Sequence, residues 1–281
     1  MVTFLGDPPR FTNYRRVCMR YFSSAAILGI VAGIALLVSL RIAPAADDDK
    51  SWGTLKGRIV FAGDKLPVPE ELKVDKDQQH CLEKGKLYSG EWVVNKDNKG
   101  IRWVLVWLAP EPNAAGEKKP LAIHPSLKEI KEKEAVIDQP CCAFVPRVLA
   151  IREGQDLIAK NSAPISHNFH IVTDPRINPE QNILIAAGGS QAFKGLRPQR
   201  LPIRVKCDIH GWMQGYIGVF AHPYFAVTDA DGNFEIKLAP AGDCRMVLFK
   251  DGWFGGSEAN ATRKITIQGG KTTDLGKIDW K

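Results

Sequence analysis

This sequence predicts an all-β chain behind an N-terminal hydrophobic helix, with its strands grouped into sandwich-like domains. Three observations carry the prediction. From Trp52 onward, short stretches alternate apolar and polar residues and are separated by turn residues. Beyond that point only one segment, 125–133, offers a plausible helix, and it is short. The long apolar run, residues 21–40, lies ahead of this β-rich region.

The 281 residues are 44% hydrophobic and 25% charged, which excludes a wholly disordered or low-complexity chain. Gly (25) and Pro (18) fall well short of a collagen-like or linker composition. The length suggests roughly two domains, each able to bury a core. Of the net charge of +7, a balance of +4 sits in residues 1–45, where Arg10, Arg15, Arg16, Arg20 and Arg41 outnumber Asp7. Beyond them the charges are nearly balanced and interspersed, as in KEIKEKE at 128–134. A nucleic-acid binder shows a basic stripe with interleaved aromatics. None is present, so no nucleic-acid partner is expected.

In chain order, the first element is the uncharged run of 20 residues at 21–40, rich in Ala, Ile, Leu, Val and Gly. Arg15, Arg16 and Arg20 precede it and orient the amino terminus toward the cytoplasm. Ala43-Pro44-Ala45 is an A-x-A pattern that could be cut before Ala46. The run is long for a signal peptide and sufficient for a spanning helix. Residues 1–46 are therefore read as a signal peptide or a membrane anchor, with membrane contact only through 21–40 if the segment is uncleaved. Either way, the remainder faces a periplasmic or other extracytoplasmic space. Cys18 precedes the run and is no lipoprotein cysteine. Strands are expected at 55–61, 101–108, 201–207 and 216–220. Phe225-Ala-Val-Thr, Asp229-Ala-Asp-Gly232 and Phe234-Glu-Ile-Lys-Leu read as strand, turn and strand of a hairpin.

The chemistry concentrates in Cys207-Asp-Ile-His210-Gly-Trp-Met213, a loop between two expected strands. Cys, His and Met at i, i+3 and i+6 offer a thiolate, an imidazole and a thioether to one point. Soft sulfur with imidazole selects copper, and a His2Cys plane with a weak axial Met defines the electron-transfer copper site. A second histidine is available in Asn161-Ser-Ala-Pro-Ile-Ser-His167-Asn168-Phe-His170. Alone, an exported Cys is commonly half a disulfide and a Met commonly fills a core. Together, the C-x2-H-x2-M spacing and an upstream His-Asn point to one mononuclear copper site. The single Cys in the loop disfavours a dinuclear centre bridged by two thiolates.

Residues 143–222 resemble a cupredoxin (blue copper) domain of the plastocyanin/amicyanin type, with a loop of the short amicyanin length. The resemblance implies that His167, Cys207 and His210 form the equatorial plane of a type 1 site, with Met213 axial. It also implies that Asn168 holds the cysteine loop in place. His170 departs from the minimal pattern and stays open as an alternative ligand. The flanking segments resemble the prealbumin-like domain found beside carboxypeptidases. Its marks are Gly53-Thr-Leu-Lys-Gly57-Arg-Ile-Val, Trp103-Val-Leu-Val-Trp, and Val227 through Ile236 followed by Pro240-Ala-Gly-Asp. The economical arrangement is a cupredoxin Greek-key sandwich (134–222) inserted in a second, prealbumin-like sandwich (51–133 and 223–281). The whole also looks like exported proteins labelled methylamine-utilisation-like. With Cys207 on copper, Cys81, Cys141, Cys142 and Cys244 remain for an oxidising compartment. Adjacent cysteines seldom bridge each other. By resemblance to the longer family, Cys81–Cys142 is the favoured disulfide. His80, His124 and His222 are read as structural.

In that family the second histidine presents an exposed edge in an apolar patch. Here that would be His210, flanked by Gly211 and Trp212, with redox protein partners docking near His210 and Trp212. The expectation is a one-electron carrier, not an enzyme. The alternatives are a copper-binding or copper-delivery protein without an electron-transfer role, and a β-sandwich surface scaffold with a degenerate metal loop.

Overall fold

Two groups of strands pair only within themselves among the described residues, which in this computed structural model are 50–254 and 262–280. In the first group, β1 (Trp52–Phe61) lies between β12 (Asn233–Pro240, antiparallel) and β16 (Thr272–Trp280, parallel). Facing that sheet, β2 (Leu105–Pro110) lies between β11 (Phe225–Val227) and β13 (Gly242–Lys250). β13 also pairs with β14 (Trp253–Phe254) and β15 (Thr262–Ile267). In the second group, β5 (Asp156–Lys160) lies between β3 (Glu134–Asp138) and β8 (Ser190–Phe193). Its companion sheet runs β4 (Val148–Arg152), β10 (Gln214–Phe220), β9 (Ile203–Lys206), β6 (His167–Val172), β7 (Gln181–Ile185). The protein is nearly all β, as the alternation predicts. The expected N-terminal signal or anchor, residues 1–46, lies outside the described residues. Among the described residues, no helix is long and apolar enough to cross a membrane.

Period-two burial explains the strands. In β12, Phe234 and Ile236 are buried while Glu235 and Lys237 between and beside them are exposed. With Leu55, Ile59, Leu108 and Met246 they form the core of the first sandwich. Ile151, Leu157, Phe169, Phe193, Val205 and Ile217 anchor the second core. Each such side chain contributes about 1.5–3 kcal/mol by leaving water. A third cluster joins the sandwiches: Leu105 and Phe249 of the first pack with Val148, Tyr216 and Phe220 of the second. Beside it, Arg147 pairs with Asp251, whose other oxygen takes Lys250 Nζ at 2.7 Å.

Three local expectations differ from the structure. The segment expected to be helical at 125–133 forms only a 3-10 turn, Pro125–Leu127. Its charges surround Ile130 without an apolar stripe, so no face holds a longer helix against a core. Asp229-Ala-Asp-Gly232 does not join two strands of one hairpin, because β11 pairs with β2 and β12 with β1 in the opposite sheet. The turn is seated on β1: Arg58 Nε donates to the Asp231 carbonyl at 2.8 Å. A Cβ on Gly232 (φ +79°) would fall 2.2 Å from the Ile59 carbonyl oxygen. Finally, the connection between β1 and β2 does not stay with its own sandwich. It carries a one-turn helix, α1 (Gln78–Cys81), and sinks Val74 and Cys81 into the core of the second.

Candidate metal centre

β9 and β10 are antiparallel partners, with Lys206 opposite Gln214, so residues 207–213 form a closed loop at the end of that ladder. Cys207 N–H donates to the Met213 carbonyl (3.2 Å), and Met213 N–H donates to the His210 carbonyl (2.8 Å). This turn folds His210 back toward Cys207. β6 lies on the other side of β9, with His170 opposite Lys206, and its first residue, His167, extends beyond that register to the loop. Alternation along β6 buries His167, Phe169 and Ile171, while Asn168 and His170 stay partly exposed.

Three buried donor atoms converge. His167 Nδ1 and His210 Nδ1 are 2.9 Å apart. Cys207 Sγ is 3.7 Å from His210 Nδ1 and 4.0 Å from His167 Nδ1. Both histidines are fully buried and Cys207 is 1% exposed. Burial pushes the Cys207 thiol up, but hydrogen bonds from His167, His210 and the backbone N–H groups of His210 and Asn168 outweigh it, pulling the pKa down to about 6. These bonds favour the thiolate over the thiol. Burial lowers His210, yet its bonds to Cys207 and Asp77 leave its pKa raised. Two imidazole nitrogens and a cysteine sulfur, each within 4.8 Å of the others, could hold one metal ion, and soft sulfur with imidazole is a donor set for copper or zinc.

The remaining residues singled out by the sequence fall around this cluster. Asn168 N–H donates to Cys207 Sγ (3.4 Å), and its Oδ1 accepts from Ile209 N–H (3.1 Å), tying β6 to the loop. Met213 is 1% exposed within the second core. His170 points to the other face of its sheet, its nitrogens held by Asp208 (2.8 Å) and Glu180 (2.6 Å). Cys81 and Cys142 form a disulfide. The expected exposed edge at His210 is absent. His210 is fully buried, and its Nε2 meets Asp77 Oδ2 at 2.8 Å. Trp212 is half-buried beside it, its ring 5.2 Å from the His210 ring and its Nε1–H donated to the Cys142 carbonyl.

Sequence reasoning missed Asp77, 133 positions from His210, and no spacing pattern could have linked the two. His80, read as structural, lies in α1 and is partly buried. Nε2 of His80 and Nε2 of His167 are buried without a hydrogen-bond partner among the described residues, and burial lowers the His80 pKa.

Residues 214–275 match the family described as polysaccharide lyase family 4, domain II. No curated protein matches the chain. Among solved structures, a reduced amicyanin variant is 17% identical over 32% of this chain and 86% of its own, with a TM-score of 0.28. A purple cupredoxin from Nitrosopumilus maritimus is 18% identical over 30% of this chain and 98% of its own, with a TM-score of 0.26. These likenesses cover about a third of the chain, and what the site can do follows from its own donor atoms.

Proposed function

We propose that this is an exported type 1 copper protein that carries single electrons between redox partners. The observation that carries the reading is the convergence of His167 Nδ1, His210 Nδ1 and Cys207 Sγ in a buried pocket. A bound copper ion would supply a one-electron Cu(II)/Cu(I) couple. The protein's part is to hold the donors still and dry. β6 and the β9–β10 loop fix the two imidazoles, Asn168 fixes the loop, and the depressed Cys207 pKa keeps the sulfur ready as a ligand. Met213, on the same loop, is the axial candidate. Catalytic metal sites keep a position open to substrate. Here all three donor residues are buried beneath Asp77 and Trp212, which favours electron transfer over turnover.

In this reading residues 134–222 are a cupredoxin unit inserted in the other sandwich. Its support is the pairing of β1 and β2 with β11–β16, and of β3–β10 with one another. Export through residues 1–46 would place the site in an oxidising space, consistent with the Cys81–Cys142 disulfide.

The test is the visible spectrum of the protein loaded with one equivalent of copper. An intense thiolate-to-copper band is expected, lost in Cys207→Ser and His167→Ala and kept in His170→Ala. Failure of the wild-type protein to take up copper stoichiometrically would end the reading. Loss of the band in His170→Ala but not His167→Ala would overturn the ligand set alone.

A further inference from the structure

We infer that Asp77, supplied by the connection between β1 and β2, is a positioning residue of the metal centre that acts through His210. The inference rests on the copper reading above. Its starting point is the single hydrogen bond between Asp77 Oδ2 and His210 Nε2, 2.8 Å long, made to a ring that is otherwise fully buried. A carboxylate can only accept, so Nε2 is the ring's donor and a neutral His210 is left with its lone pair on Nδ1. Nδ1 is the atom that faces His167 and Cys207. A carboxylate behind a ligating histidine fixes the tautomer and ring orientation and makes the ligand more basic.

Asp77 is held for this role at some local expense. It occupies the N-cap of α1, where an Asp side chain ordinarily accepts from the first helical N–H groups. It makes no such bond, and its backbone is left-handed (φ 46°), a conformation few non-glycine residues adopt. The backbone is kept there from behind. Cys81, in the same turn, is bonded to Cys142, and the Cys142 carbonyl accepts the Trp212 indole N–H from the metal loop. Val74 anchors the other side of the turn in the second core. The first sandwich's own connection thus covers the edge of the centre that the second sandwich builds. An electron leaving by the His210 edge meets this polar cap rather than an apolar patch.

Losing the carboxylate should favour Cu(I), the less positive state, and so raise the reduction potential. The experiment uses the full-length protein, wild type and Asp77→Ala, with copper alone as the added ligand. Cu(II) affinity should fall about 10- to 100-fold. A tenfold greater loss for Cu(II) than for Cu(I) reads as a rise of about 59 mV in the one-electron potential. The thiolate band should persist, because the three donors remain. Asp77→Asn, whose amide oxygen can still accept from Nε2, should give a smaller rise. A merely structural cap would leave the tautomer alone. In metal-free protein at a pH where the ring is neutral, two-bond 15N–1H correlation should therefore show His210 protonated at Nε2 in wild type and mixed in Asp77→Ala. Unchanged potential, affinity and tautomer in Asp77→Ala would overturn the inference while leaving the copper reading intact. If the wild-type protein takes up no copper, the copper reading fails, and the tautomer measurement alone decides whether Asp77 positions His210.

Discussion

Cys207 is buried, a circumstance that by itself would keep a sulfur protonated, yet its surroundings pull its pKa down to about 6. Its neighbours explain the difference: His167, His210 and two backbone N–H groups all favour the thiolate. The sequence gives the residue types and their spacing, but a charge balance of this kind exists only once β6 has met the loop. Met213 shows the same division. Its position in C-x2-H-x2-M marks it as an axial donor, and its burial in the second core suits both a ligand and a packing residue. Substitution separates these roles. Gln offers a harder oxygen that favours Cu(II), so Met213→Gln should lower the reduction potential. Leu offers no donor and should raise it. Voltammetry of the copper-loaded variants checks this, and equal potentials for wild type, Met213→Gln and Met213→Leu would reduce Met213 to packing.

Among the elements, the most legible were those whose signal is local. The 207–213 loop packs three donor types into seven residues, and β1, β9 and β10 carry their alternation openly. The turn at 229–232 shows where local signals stop. The same Asp-Gly chemistry serves a hairpin or an arch, and the choice was made by the partners waiting for each strand: β2 for β11 and β1 for β12. The short link from β10 to β11 bears its own consequence. His222 lies there, its ring stacked beside those of Phe220 and Tyr224, and burial pushes its pKa down to about 4. The unfolded chain protonates it near the ordinary 6.5, so between these values the unfolded state holds more protons. Its contribution to stability is therefore complete above pH 6.5 and is lost as pH falls toward 4. The loss amounts to about 3 kcal/mol. Thermal melts across that range should show His222→Gln, which does not charge, with a shallower decline than wild type.

For the molecule as a whole, the question is what makes two sandwiches one body. An aromatic and aliphatic contact joins them, and beside it Asp251 holds Arg147 and Lys250 with side-chain exposures of 2%, 13% and 3%. Arg147 comes from the segment leading into β4 and Asp251 from the end of β13, so the ion pair spans both cores. Asp251→Ala would strand two buried cations and should cost about 3–5 kcal/mol, read as a lowered denaturant midpoint. Arg147→Met leaves the Asp251–Lys250 pair in place and should cost less. If Asp251→Ala melts like wild type, the sandwiches are held by apolar contact alone. By itself, the sequence determined the β class, the donor types and the loop that presents them, because strand alternation and the C-x2-H-x2-M spacing are short-range patterns. Only the tertiary structure decided which strands share a sheet and that His210 lies under Asp77, 133 positions away. Such contacts depend on which buried surfaces and hydrogen-bond partners compete for the same space, and no interval along the chain encodes that competition.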